Sequence, residues 1–242
     1  MSLERERAAA TGRRTLEAFE ITPRLNQWIY SKLAAGVAGE VLEIGSGIGN
    51  MSRLIRPAAS RLVLTDASPE HLDALRALYA EDAGVAVTAY DLDAPPPPDV
   101  AARRYDAIVA VNVIEHIADD RTLVTRLSEL LSPGGQLLVY VPACPFAFGP
   151  LDRALGHFRR YTAATLTELM RGAGLDPGTP RYMNLLGLAG WVVSGSVLRR
   201  DILSPRGVAL FERLVPLVRL EDRLTLPLGL GLFTAATKTA GR

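Results

Sequence analysis

Residues 41–50 read VLEIGSGIGN, a short apolar run that ends in one acid and continues into three glycines. An apolar run followed by a Gly-rich turn is typical of a buried strand that leads into a helix. Gly45, Gly47 and Gly49 allow the backbone to turn sharply and allow a ligand to approach the main chain closely. We therefore expect a ligand on this turn, with much of the remaining chain as its scaffold.

Further apolar runs predict the rest of a sheet. Helix patterns separate them, and they occur near residues 61–65, 85–90, 105–111, 136–141, 175–183 and 229–238. Strands that alternate with helices indicate a parallel sheet with helices on both faces. We predict an α/β, doubly wound, Rossmann-like sheet of seven strands, mostly parallel. A helical insertion is predicted between its last two strands.

The composition excludes several classes of protein. The net charge of the 242 residues is +1, so no strong field favours nucleic acid as a partner. The single cysteine, Cys144, permits no disulfide within the chain, and we expect a cytoplasmic location. Residues 1–20 contain acids and no apolar core typical of a signal peptide. No run of about 18 residues is apolar throughout, so we expect no transmembrane segment.

Three acids are predicted at the carboxyl ends of strands, where ligands of open α/β sheets bind. Glu43, Asp66 and Asp91 follow the first three strands. Asp66 comes about 20 residues after Gly45, the position from which a carboxylate binds the ribose hydroxyls of an adenosine. A pyrophosphate fits poorly, because Glu43 would repel it and Asn50 replaces the last glycine of a dinucleotide motif. We therefore expect a cationic adenosyl cofactor.

The sequence resembles the class I S-adenosylmethionine-dependent methyltransferases in five segments, which follow that family's order. These segments read VLEIGSGIGN, LVLTDASPEHL, AYDLD, YDAIVAVNVIEHI and LSPGGQLLVYVPA, at residues 41–50, 62–72, 89–93, 105–117 and 131–143. The resemblance implies S-adenosylmethionine as cofactor and S-adenosylhomocysteine as product. It also implies a reversed last strand, which residues 229–238 can supply.

The same resemblance implies ten cofactor-binding residues. They are Glu43, Gly45, Ser46 and Gly47 along the amino-acid part, Asp66 and Ala67 at the ribose and adenine, Asp91 and Leu92 at the adenine edge, and Asn112 and Val113 below the sulfonium. Asp93 is an alternative to Asp91.

We expect one domain in five parts: an N-terminal helical lid, a cofactor-binding core, a substrate segment, a helical cap and the last strand. These parts span residues 1–38, 40–143, 144–184, 185–227 and 228–238. The lid could instead be an ordinary packing helix.

Residues 151–162, LDRALGHFRRYT, are the main candidate for the acceptor site. His157 can take a proton, with Asp152 orienting it. Arg159 and Arg160 are suited to bidentate capture of a carboxylate or phosphate, and Tyr161 follows them. The stretch resembles a G-H-x-R-R-Y signature of a bacterial methyltransferase subgroup. Alternatively, it docks the next helix, with Thr162 as the N-cap.

Other candidates lie outside this stretch. His116 resembles a position that lies near the methyl group in the family, as a catalytic residue or as a structural hydrogen-bond partner. His71 is expected to be exposed and without a role. Trp191 and Phe211, in the cap, are expected to wall the acceptor. Two other roles for the cap stay open, a dimer face or a membrane contact. No spacing typical of metal ligands is evident, and we expect no metal.

The sequence thus favours methyl transfer from S-adenosylmethionine to an oxygen, a hydroxyl or a carboxylate, of a small molecule, glycan or lipid-linked metabolite. The alternatives are an N-methyltransferase of a small molecule or peptide, and a non-catalytic protein that binds the same cofactor. A nucleotide-dependent oxidoreductase is a further alternative, against which Glu43 and Asn50 argue. We expect a monomer or homodimer, with peripheral membrane contact as an option.

Overall fold

In the computed structural model, residues 22–194 and 205–239 are described, and within them eight strands alternate with helices. The strands are β1 Gly39–Ile44, β2 Ala59–Asp66, β3 Val85–Ala89, β4 Tyr105–Val111, β5 Leu131–Pro142, β6 Leu175–Pro177, β7 Arg181–Met183 and β8 Gly231–Lys238. The α-helices are α1 Pro23–Leu33, α2 Ser52–Ile55, α3 Pro69–Leu78, α4 Pro98–Ala101, α5 Asp120–Leu130, α6 Pro150–Leu155, α7 Ala163–Gly172, α8 Leu185–Val192 and α9 Pro205–Val218. Residues 1–21 of the predicted lid and 195–204 of the predicted cap lie outside the described residues.

The strands form one sheet in the order β3-β2-β1-β4-β5-β8-β6, with β7 also paired to β8. Strands β1 to β5 are parallel, and β8 runs antiparallel to β5. The prediction of a doubly wound, mostly parallel sheet with a reversed last strand is confirmed. The strand order reverses between β1 and β4, which opens a crevice at their carboxyl ends.

The predicted strand at 175–183 is interrupted. Its two halves, β6 and β7, pair with different parts of β8. Between them Pro180 has no N–H to donate, while the N–H of Gly178 still donates to the carbonyl of Ala235 at 2.8 Å. The sheet therefore has eight strands rather than the predicted seven, because one strand is split in two.

The sheet is buried on both faces, as expected for parallel strands between helices. Side chains alternate along β1, so that Leu42 and Ile44 join one hydrophobic cluster and Val41 joins the other. Trp28 and Ile29 of α1 are buried in the second cluster.

Helix α1 is tied to the cap. Both oxygens of Glu212 on α9 accept from main-chain N–H groups of its first turn, those of Arg24 at 2.6 Å and Leu25 at 3.3 Å. A carboxylate is favourable at a helix N-terminus. Farther along α1, Trp28 Nε1 donates to Asp222, which also pairs with Lys32. These contacts hold α1 across the crevice edge.

Within the described residues, no helix is both long and apolar enough to cross a membrane.

Candidate active site

A cavity of about 300 Å³ lies in the crevice at the carboxyl ends of β1 and β4. Helix α1, the turn after β1, the ends of β4 and β5, the loop after α6, and α8 contribute to its wall. Nine of the predicted site residues line it: Glu43, Gly45, Ser46, Gly47, Asn112, His116, His157, Arg160 and Trp191. We call residues 43–47, which line the cavity, together with Asp66, onto which their turn closes, the glycine end. The histidine end consists of His116, His157 and Arg160, which line the cavity, and of the buried Glu115 and Asp152 beside them.

The glycine turn has a backbone that a side chain would not tolerate. Gly45 and Gly47 have φ of +63° and +55°, in the left-handed region. A Cβ on Gly45 would come within 2.6 Å of the side chain of Val113, which supports the turn from behind. The N–H of Gly47 donates to Asp66 at 2.9 Å, so the turn closes onto the end of β2.

Asp66 is held by three donors. Besides Gly47, the N–H of Ser68 lies 2.8 Å from it and Nδ1 of His71 lies 3.1 Å from it. Burial raises the pKa of Asp66, but His71 and the two N–H groups outweigh burial, so the pKa lies below its usual range. Asp66 in turn raises the pKa of His71. The expectation that His71 is exposed and without a role is wrong, because its side chain is only 20% exposed and contacts Asp66.

Five of the ten predicted cofactor-binding residues are not part of the cavity wall. Asp66, Ala67, Asp91, Leu92 and Val113 all lie outside it. The Asp91 side chain is bonded locally, where it accepts from the N–H of Asp93 at 3.1 Å. These positions border the far side of the turn, so they could contact only a ligand that extends beyond the cavity.

Glu43 is a buried carboxyl that lines the cavity. Its hydrogen bond from Ser52 Oγ is 2.5 Å long. Burial, opposed by the Ser52 bond, raises the pKa of Glu43 to about 8. The group is therefore largely protonated at neutral pH until a cation approaches it.

At the histidine end, Asp152 accepts from side chains of two other segments. Its Oδ1 accepts from Arg160 Nε at 2.7 Å and lies 3.0 Å from His157 Nδ1. Its Oδ2 accepts from the N–H of Gly149 at 2.9 Å and from Trp191 Nε1 at 3.3 Å. Asp152 is fully buried, and burial raises its pKa, but the contacts with His157 and Arg160 lower the pKa below its usual range.

Two further groups face His157. The ring of His116 packs edge-on against it, with 4.7 Å between ring centroids. Desolvation by the cavity wall, and secondarily His157, lowers the pKa of His116. Glu115 Oε1 lies 3.9 Å from His157 Nε2. Glu115 is fully buried, and neither of its oxygens has a hydrogen-bond partner among the described residues. Burial raises the pKa of Glu115 to about 8.

Two predicted acceptor residues point away from the cavity. Arg159 Nη1 pairs with Asp120 at 2.6 Å, and Tyr161 donates to the same carboxylate at 2.8 Å. Side chains alternate in this segment, so Arg160 faces inward while its neighbours fasten the segment to α5. Arg160 itself is bonded to Asp152 and to the carbonyl of Ala143. Phe211 also lies outside the cavity wall and packs on the second hydrophobic cluster.

Sequence reasoning missed Glu115. It lies within the EHI triplet that singled out His116, but a carboxylate without a partner is visible only once the surrounding chain is folded. It also missed the grouping of Glu115 with the two histidines, because His157 is about 40 residues away from the other two.

Comparisons with known proteins agree with this geometry. A family model described as "Methyltransferase domain" matches residues 5–177. A Mycolicibacterium smegmatis protein named "Probable S-adenosylmethionine-dependent methyltransferase" is 34% identical over 63% of this chain and 58% of its own length. A "Ubiquinone biosynthesis O-methyltransferase" of Cereibacter sphaeroides is 29% identical over 57% of this chain and 60% of its own. The chain thus spans about three fifths of these curated relatives.

A solved structure shares the fold. The N-methyltransferase NodS from Bradyrhizobium japonicum, in complex with S-adenosyl-L-homocysteine, superposes with a TM-score of 0.57. The alignment covers 88% of this chain and 85% of NodS at 17% identity. At that identity the likeness establishes the architecture and leaves the substrate open.

Proposed function

The chain belongs to the methyltransferase domain family, and on that basis we propose that it transfers a methyl group from S-adenosylmethionine to an acceptor oxygen. The acceptor is a hydroxyl or carboxylate of a small molecule, a glycan or a lipid-linked metabolite. One observation carries the proposal. The His157–Asp152 pair, 3.0 Å between Nδ1 and Oδ1, lies at one end of a cavity whose other end is the glycine turn with Glu43.

The glycine end fits an adenosyl amino acid. Glu43 would accept from the ammonium group, the main chain of Gly45 and Gly47 leaves room for close approach, and Asp66 would accept from the ribose hydroxyls. The directions in which the two pKa values shift support the assignment of Glu43 to the ammonium group and Asp66 to the ribose. Asp66 is ionised and pre-positioned, whereas Glu43 becomes ionised when a cation arrives. The cofactor supplies an electrophilic methyl group on positively charged sulfur.

The histidine end favours a hydroxyl as the acceptor. With Nδ1–H directed to Asp152, Nε2 of His157 keeps a lone pair that can take the hydroxyl proton. The oxygen then forms a bond to the methyl carbon while the sulfur–carbon bond breaks and sulfur keeps the electron pair. A carboxylate acceptor would need no base, and an amine acceptor is the alternative. The Cereibacter relative is named as an O-methyltransferase, which supports oxygen as the accepting atom.

Exposed apolar side chains of the cap support the inclusion of lipid-linked acceptors. They are Leu185, Leu186, Val193, Leu210, Leu217, Leu220 and Leu224. Trp191 of the same cap lines the cavity, so one segment contacts both the proposed acceptor and the surface. Co-sedimentation with liposomes tests this part, and absence of binding would remove the membrane contact.

The central test separates turnover from cofactor binding. His157→Ala should lower S-adenosylhomocysteine production with hydroxyl acceptors by ~10²–10⁴-fold, the usual contribution of a general base. Its affinity for S-adenosylhomocysteine, measured by calorimetry, should stay within a few-fold. Glu168→Gln, at an exposed ion pair with Arg121, is the control for both measurements. If His157→Ala loses cofactor binding as well, the loop belongs to the cofactor site or to the fold. Cofactor binding without turnover on any acceptor would favour the non-catalytic alternative.

A further inference from the structure

Three potential metal ligands converge at the histidine end. Glu115 and His116 come from the short 3₁₀ turn Ile114–His116 after β4, and His157 comes from the loop after α6. One ligand atom from each lies within 4.8 Å of the other two. We propose that these side chains bind a divalent transition-metal ion that holds the acceptor's oxygen. This inference rests on the proposed function for the identity of that oxygen.

The first argument is the unpartnered carboxylate. Glu115 is fully buried, and both of its oxygens lack a hydrogen-bond partner in the part of the chain that the structure describes. A buried polar group is normally bonded, and leaving a carboxylate unpaired in the interior is costly. Arg160 does not satisfy it, because its Nε and Nη1 donate to Asp152 and Ala143. His157 Nε2 is too distant for a hydrogen bond at 3.9 Å. A cation between these groups would satisfy the carboxylate.

The second argument is the orientation of His157. Its Nδ1 is held 3.0 Å from the buried carboxylate of Asp152, so its Nε2 is directed toward Glu115. Metal-binding histidines usually have such a carboxylate on the second nitrogen, which fixes the ring and makes it a better ligand. The side chain of His157 is only 8% exposed, and a fixed ring loses little entropy on binding an ion.

The third argument is that one side of this three-residue cluster faces the cavity. Both His116 and His157 line the cavity, so an ion bound by these three residues has its remaining coordination positions toward the ligand space. Tetrahedral bonds of 2.0–2.2 Å place ligand atoms about 3.4 Å apart, so the cluster, whose atoms lie up to 4.8 Å apart, must close by up to about 1.4 Å. Rotation of the more exposed His116 can supply this closure.

The ligand types select the metal. Two imidazoles and one carboxylate suit Zn²⁺, Fe²⁺, Co²⁺ or Mn²⁺ rather than the oxygen sets preferred by Mg²⁺ and Ca²⁺. Such an ion would bind the acceptor's hydroxyl oxygen, lower its pKa and release its proton to solvent. The oxygen then takes the methyl group while sulfur keeps the electron pair of the broken bond. In the metal-bound protein His157 is a ligand, and the ion replaces it as the group that activates the hydroxyl.

Metal binding is tested directly on the untagged, chelator-treated protein. Titration with Co²⁺ should give visible absorption bands at one ion per chain, and Zn²⁺ should displace them. Glu115→Gln and His157→Ala should each weaken Co²⁺ binding by at least tenfold. Asp152→Asn, through the orientation of His157, should weaken it by about 10–100-fold. His71→Phe, which removes the histidine outside the cluster, should bind Co²⁺ as the wild type does.

Cofactor affinity provides the check on folding. Glu115→Gln keeps the side-chain shape and removes only the ionisable group, so it should bind S-adenosylhomocysteine as tightly as the wild type. The inference is overturned if neither Co²⁺ nor Zn²⁺ binds the wild type with a Kd below about 100 μM. It is also overturned if Glu115→Gln and His157→Ala leave binding unchanged. Turnover that persists in chelator would reject the metal and leave the proposed function standing. Metal binding without turnover on any oxygen acceptor would support the metal site and reject the proposed transfer to oxygen.

Discussion

At the glycine end of the cavity a carboxylate is held mainly by main-chain N–H groups, whereas at the histidine end a carboxylate is held mainly by side chains. Asp66 accepts from Gly47, Ser68 and His71. The equivalent carboxylate at the other end, Asp152, joins the loop after α6 to Trp191 in the cap. The carboxylate at the glycine end thus depends mainly on backbone geometry, and the one at the histidine end depends on the packing of side chains.

The two ends nevertheless share one electrostatic arrangement. Each pairs a carboxylate whose hydrogen bonds lower its pKa with one whose burial raises its pKa to about 8. Asp66 and Asp152 are the bonded members, and Glu43 and Glu115 are the others. A bonded carboxylate positions its neighbours, while a buried carboxyl with few donors is suited to a cation that arrives with the ligand. This comparison gives four predictions.

The largest effect is expected from Asp152→Ala. This substitution leaves the buried Arg160 without its ion partner and Trp191 Nε1 without an acceptor. Breaking a buried pair in this way costs about 3–5 kcal/mol, so the free energy of unfolding should fall by that amount in urea titrations. Asp66→Ala is the matched control. It removes a less buried carboxylate and should cost under about 2 kcal/mol. Equal losses would mean that the two ends do not differ in their structural role.

The second prediction concerns ligand binding, for which the substitution at the glycine end should have the larger effect. Asp66→Ala should weaken S-adenosylhomocysteine binding by about 10–100-fold, because charged hydrogen bonds to the ribose contribute about 1.5–3 kcal/mol. Calorimetry on folded protein measures this effect. His157→Ala is the control from the histidine end and should change the same affinity by less than about threefold. An unchanged affinity in Asp66→Ala would remove the basis for the cofactor assignment.

This division explains what the sequence could predict. The strand, the glycine turn and Asp66 follow one another within a short stretch, so their pattern predicts both their structure and their proximity. The reversed last strand came from the family resemblance and is confirmed by the pairing of β8 with β5. The interruption between β6 and β7 was missed, although Gly178 and Pro180 are its local cause.

The histidine end was only partly predictable. The pairing of Asp152 with His157 follows from their short separation in the sequence. Arg159 points outward because it pairs with Asp120, and Arg160 therefore points inward. Asp120 lies about 40 positions earlier in the chain, so the sequence does not show which of the two arginines it contacts. Glu115 is a candidate metal ligand because its carboxylate oxygens have no hydrogen-bond partner among the described residues. An absent partner is a property of the packed interior and has no signal in the sequence.

The third prediction uses the raised pKa of Glu43. The ammonium group of the cofactor binds the ionised carboxylate, so binding near pH 7 should release a proton from a group with a pKa of about 8. Affinity should therefore rise by up to about 25-fold between about pH 6 and pH 7.5, where the ligand's own ammonium stays charged. Calorimetry in buffers of different ionisation enthalpy measures the proton release. Glu43→Gln should remove both the release and the pH dependence, and a variant that retains them would assign the proton to another group.

The smallest effect is expected from His71→Phe. His71 contacts Asp66 but does not line the cavity, so it acts by orienting a carboxylate that keeps two main-chain donors. Loss of one of three partners should weaken S-adenosylhomocysteine binding by about threefold, or roughly 0.6 kcal/mol. The effect should vanish in the Asp66→Ala background, because the two residues act through the same bond. A loss as large as that of Asp66→Ala, or one that persists in that background, would mean that the His71 ring itself contacts the cofactor. The glycine end would then also depend on a side chain presented by a neighbouring helix.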